Sequence, residues 1–140
     1  MWDPPDGLWA RRPAFPDAAA GLVSTADDLL AFARMFLRGG GAVLDPDAVE
    51  QMTSDQLSPD QQASTRGFLE GQSWGFCLSV VTEGPNAGAF GWDGGFGTSW
   101  LVDPARDLVV IVMTQRLFDS PLLPRVHRDL REAAYAAAAT

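Results

Sequence analysis

Lysine is absent from this chain; all ten basic residues are arginine. Cysteine, histidine and tyrosine occur once each, as Cys77, His127 and Tyr135. A single cysteine excludes an intramolecular disulfide and a thiolate metal cluster. One imidazole among scattered acids offers no metal-ligand spacing. No apolar run approaches a membrane span. Basic clusters are missing too, and the net charge of −8 argues against nucleic acid as a partner. The start, MWDPPDGLW, lacks the basic-then-apolar form of a signal peptide and reads as a cut inside a larger protein. With no disulfide, that start favours a cytoplasmic location for this chain. Cys77, inside WGFCLSVV, reads as a small buried hydrophobe.

What is present is enough for a core. Hydrophobic residues make up 46% of 140, the size of one domain. Residues 1–20 are rich in Pro, Asp and Ala and read as an extended arm. Trp2, Trp9 and Phe15 are spaced through it to pack onto the rest of the chain, residues 21–140. Thr25 is placed to cap a helix, with Asp28 answering in a capping box and Leu29, Ala33 and Phe36 at helical spacing. Gly39-Gly40-Gly41 stops it. Asp45-Pro46 and Ser58-Pro59 open two further helical segments. Residues 61–71 read as a loop.

From Trp74 the period becomes that of strands. Residues 74–81 read as one strand, 90–93 as a second and 98–102 as a third. Residues 103–107 form a hairpin turn. Leu108 to Thr114 is apolar on both faces and is expected to be a central strand covered on both sides. Ser120-Pro121 starts a last helix, with Val126, Leu130, Ala133 and Ala137 facing in and the charged positions, His127 among them, facing water. Helices, antiparallel strands and a helix in that order give an α+β fold: an antiparallel β-sheet with flanking helices.

Inside the strand region lies GWDGGFGTSW, residues 91–100. Four glycines weaken a strand, so some backbone or ligand must come close there. One account is a glycine bulge over which Trp92 and Trp100 pack. The other comes from resemblance. GLVSTADDLLAFARMFL, LDPDAVEQMTSDQL, SWGFCLSV and FGWDGGFGTSWLVDPARDLVVIVMTQ occur in the order found in the C-terminal part of the serine β-lactamase-like hydrolases. That superfamily holds class C β-lactamases, penicillin-binding peptidases and family VIII esterases.

The resemblance implies a partial β-lactamase/transpeptidase-like fold, without its N-terminal strands and helical region. It also implies acyl transfer through a seryl intermediate. The family's third motif lies on an edge strand and reads Trp-x-Gly in many esterase-like members. Trp92, Asp93 and Gly94 match it as substrate-binding residues. The residue after the motif, Gly95, would donate its backbone N–H to the oxyanion hole. No metal or organic cofactor is implied.

Two elements of that site are missing. Ser-x-x-Lys cannot occur without lysine, and Tyr135 is followed by alanines rather than by Tyr-x-Asn spacing. The chain is therefore expected to be inactive alone, as the C-terminal segment of a longer hydrolase. His127 and Ser99 make poor substitutes: His127 is expected to face water on a helix that the family packs away from the site, and Ser99 has no base in sequence reach. Asp93 is either an acid at the cleft mouth or a solvated carboxylate in a turn. Its charge, beside an uncharged Trp92, favours neutral esters or amides over anionic β-lactams. Arg116, after the last strand, is a surface residue or a substitute cation.

In the family the strand matching Leu108 to Thr114 pairs with strands that this chain lacks. An open edge there predicts self-association or a complementing N-terminal segment. The alternative function is a non-catalytic binding or assembly domain that kept the fold. An unrelated small α+β fold would be favoured if residues 74–114 did not form one antiparallel sheet.

Overall fold

The computed structural model describes residues 4–17, 21–65, 67–69 and 71–139. Three helices come first: α1 (Ala26–Leu37), α2 (Pro46–Thr53) and α3 (Pro59–Ser64). Five strands follow: β1 (Gln72–Trp74), β2 (Ser79–Val81), β3 (Phe90–Gly94), β4 (Thr98–Asp103) and β5 (Leu108–Met113). Helix α4 (Arg125–Ala138) comes last. The strands lie side by side in chain order, each antiparallel to the next. This is the expected α+β layout, and one continuous sheet counts against the unrelated-fold alternative.

Capping explains where the helices begin. Thr25 accepts a hydrogen bond from the Asp28 N–H, as its position predicts. The Asp28 carboxylate does not close the box; it accepts from the Ser24 hydroxyl instead. Ser58 and Gln61 do form a complete capping box at α3. Helix α3 therefore runs through Gln61–Ser64, part of the stretch expected to be loop. Helix α1 ends as Gly39 N–H bonds the Phe36 carbonyl and Gly40 N–H bonds the Met35 carbonyl, the two bonds of a Schellman stop.

The sheet separates two clusters. On one face α1 buries Ala33 and Phe36 against Leu78, Val80, Phe90, Trp100 and Val102. Phe36 meets the rings of Phe90 at 5.5 Å and Trp100 at 6.2 Å. On the other face Ala134 and Tyr135 of α4 pack on Ala89, Leu101, Val110 and Val112.

Four expectations need correction. Residues 74–81 are two short strands, not one: β1 turns back into β2, with Gly75 N–H on the Leu78 carbonyl. Cys77 sits in that turn, exposed and at φ 65°, rather than buried in a strand. β5 is covered on both faces, by α1 and α4, but it is an edge strand, with β4 as its single neighbour among the described residues. Helix α4 starts at Arg125, and its inner face is displaced from the expected one. Val126 and Leu130 are 50% and 47% exposed, while His127 is 1% exposed. Polar acceptors on the sheet, described below, draw His127 and Arg131 inward.

In the arm, Leu8–Ala10 forms a single 3₁₀ turn, and Trp9 meets Phe96 edge-on at 5.8 Å. Phe15 is exposed. Trp2 lies outside the described residues.

Candidate active site

The ten-residue glycine stretch is the β3–β4 hairpin. Trp92↔Trp100, Asp93↔Ser99 and Gly94↔Thr98 face one another, and Gly95, Phe96 and Gly97 make the connection. Trp92, Asp93 and Gly94 thus lie on the middle strand of the sheet, not on an edge strand. The pairing with β2 stops at Gly91, however. Beyond Gly91 no strand among the described residues borders β3 on that side, so the motif still presents one free backbone edge.

The glycines have different reasons. A Cβ on Gly91 would lie 2.1 Å from the Trp100 carbonyl oxygen, so β4 itself needs that space. Gly97 sits at φ +99°, and a Cβ there would lie 2.4 Å from both the Arg116 carbonyl oxygen and Thr114 Oγ1. These two serve the chain's own close packing. Around Gly95 a Cβ would meet nothing within 4 Å.

The turn is held almost entirely through its carbonyls. The Gly94 carbonyl accepts from Gly97 N–H at 2.9 Å, and the Gly95 carbonyl from Phe118 N–H at 2.9 Å. The Gly97 carbonyl accepts from Thr114 N–H at 3.0 Å and from Thr114 Oγ1 at 3.1 Å. His127 Nε2 stands 3.2 Å from the same oxygen. A carbonyl can only accept, so Nε2 carries the ring proton. The Gly95 N–H, by contrast, meets no acceptor among the described residues.

Aromatic side chains border this edge. Trp92 meets Trp74 edge-on at 4.7 Å and Phe68 at 6.5 Å. Phe96, beside Gly95, is the ring met by Trp9 of the arm.

Asp93 is neither a turn residue nor a free carboxylate. It lies in β3, a quarter exposed, and is ion-paired to Arg131 of α4. Arg131 also donates to Ser99 Oγ at 2.7 Å, and Ser99 is buried. Ser99 Oγ accepts from a cation, and no hydrogen bond joins it to the Asp93 carboxylate opposite, so Ser99 is not arranged as a nucleophile. His127 is not solvent-facing; it is buried against the hairpin, with Phe118 packed edge-on against its ring. Arg116 is a surface residue paired with Asp119. The inward turn of His127 and Arg131 escaped the sequence reading. A signal existed in the polar side chains of Asp93 and Ser99, which share one sheet face and need partners.

The Beta-lactamase family model matches residues 1–135. The chain belongs to the Beta-lactamase family. It is 38% identical to Protein Rv1367c of Mycobacterium tuberculosis over 123 residues, 76% of this chain and 31% of that protein. It is 33% identical to esterase EstB of Burkholderia gladioli over 132 residues, 88% of this chain and 31% of EstB. Among solved structures it resembles EstCE1, described as a hydrolase with promiscuous acyltransferase activity. That match has a TM-score of 0.73 at 28% identity and covers 87% of this chain and 32% of EstCE1. The chain thus spans about a third of the length of the curated relatives it matches.

Proposed function

We propose that these 140 residues supply the oxyanion strand of a serine hydrolase that acts on esters or amides through a seryl intermediate. One observation carries the reading. In a turn whose Gly94, Gly95 and Gly97 carbonyls all accept hydrogen bonds, the Gly95 N–H meets no acceptor among the described residues, and it lies beside an unpaired strand edge and open space. A fixed donor of that kind stabilises the charge that develops on a carbonyl oxygen under attack, by about 3 kcal/mol.

Trp92, backed by Trp74 and Phe68, forms an uncharged cleft wall. That wall favours a neutral ester over an anionic lactam, as the name of EstB also suggests. Asp93 adds little to this preference, because Arg131 already offsets its charge. The nucleophile and its base come from a segment carrying Ser-x-x-Lys and Tyr-x-Asn, and without it the chain is inactive.

That segment docks on the free edge of β5. A groove of about 460 Å³, lined by Leu30, Val109, Ile111 and Met113 among others, runs beside this edge. An unpaired, apolar strand of this kind invites another chain or segment.

The test is hydrolysis of an activated ester and a chromogenic lactam, with intact-mass detection of an acyl adduct. The expected result is neither turnover nor adduct from the chain alone, and both once a Ser-x-x-Lys segment is joined to it. In the joined protein, Gly95→Pro removes the N–H and is expected to lower kcat 10²–10³-fold. Gly95→Ala keeps the N–H in open space and is expected to leave kcat within about twofold. An adduct on the isolated chain, or full activity in Gly95→Pro, overturns the reading.

A further inference from the structure

Helix α4 reaches the hairpin with two polar side chains four residues apart on one face. His127 Nε2–H donates to the Gly97 carbonyl, at the far end of the turn. The Arg131 guanidinium donates to the Asp93 carboxylate on β3 and to Ser99 Oγ on β4. Asp93 and Ser99 face each other in register, one pair below Gly94↔Thr98. Arg131 therefore ties both strands together at the base of the turn, and His127 ties down its exit. Gly95 lies between the two ties.

The helix gives up apolar burial to do this. Val126 and Leu130, one position before each polar residue, stay half-exposed while His127 is fully buried and Arg131 largely so. Burying an imidazole and a guanidinium is costly, and turning Val126 and Leu130 inward would be the cheaper way to dock a helix. Both polar side chains spend that burial on the same turn.

We infer that His127 and Arg131 are positioning residues that fix the direction of the Gly95 N–H. This rests on the oxyanion reading above for its purpose, but not for its geometry. Neither side chain reaches the open side of Gly95, so neither is a catalytic residue. A donor misplaced by about 1 Å can lose some 10²-fold in rate, which is the scale on which such anchoring matters.

Amide hydrogen exchange, read by NMR on the 140-residue chain, tests the geometry without any activity. In His127→Ala and Arg131→Ala, the Gly97 and Thr114 N–H groups are expected to exchange about tenfold faster. The Gly40 N–H in the α1 stop and the Gly75 N–H in the β1–β2 turn are expected to be unchanged. Arg131→Lys, which keeps the cation, and His127→Gln, which keeps an N–H donor, are expected to restore part of the protection. They also serve if the alanine variants fail to fold.

Faster exchange at all four amides alike, or at none, overturns the proposal. In the joined protein, Arg131→Ala is expected to lower kcat tenfold or more at constant KM, with partial rescue by Arg131→Lys. If Gly95→Pro keeps full activity while the exchange effect stays local, the oxyanion reading fails and the anchoring stands. If exchange is unchanged while Gly95→Pro is inactive, the anchoring fails alone.

Discussion

The two faces of the sheet are built on different principles. The face under α1 is almost wholly apolar: Phe36, Phe90, Trp100 and Val102 interlock with no charged group among them. The face under α4 mixes Leu101, Val110 and Val112 with Asp93, Ser99, Asp103 and the inward-turned His127 and Arg131. Apolar packing is forgiving about direction and large in energy. Hydrogen bonds are small in net energy and exact about direction. One face holds the fold together, and the other sets where the hairpin points.

Breaking the apolar face is expected to have the largest effect. Phe36→Ala removes a ring buried against three others, Phe32, Phe90 and Trp100, and should cost about 3–5 kcal/mol, read as a drop in the urea midpoint. Next comes the anchor of the polar face. Gly97→Ala forces a side chain into a left-handed backbone position and against Thr114, and should cost about 1–3 kcal/mol by the same measurement.

The smallest effect lies where the polar face meets its apolar surroundings. Burial first, and the Asp103 carboxylate second, push the Tyr135 phenol up from 10.0 to about 12. Between those values the unfolded phenol releases its proton and the folded one keeps it. Folded stability therefore falls as pH rises from 10 toward 12. A phenolate absorbance titration of the folded chain should have its midpoint near 12, and Asp103→Asn should bring it down.

The same division explains what could be read in advance. Helix α1, its cap, its stop and its buried Phe36 follow from spacing alone, because apolar contacts repeat with the period of the element. Strands β3, β4 and β5 were legible for that reason. The β1–β2 hairpin was not, since WGFCLSVV is apolar but for Ser79 and hides a turn at Cys77. In α4 the periodicity pointed to Val126 and Leu130, and the true inner face is set by acceptors 30 or more residues away in sequence. Within the candidate site, Trp92 and Gly94 stood out by resemblance. The ion pair of Asp93 has no local signature. The division of labour among Gly91, Gly95 and Gly97 depends on which atoms approach each one, and a string of glycines looks the same in every case.

The turn between β1 and β2 has a practical corollary. Cys77 is exposed and is the sole thiol of a chain without lysine. Maleimide chemistry can therefore reach one side chain, and amine-reactive reagents find no competing lysine. A fluorophore attached there would sit three residues from Trp74, whose ring touches Trp92. The chain thus carries a ready-made attachment point for an optical reporter beside its aromatic wall, with no residue needing to be added or removed.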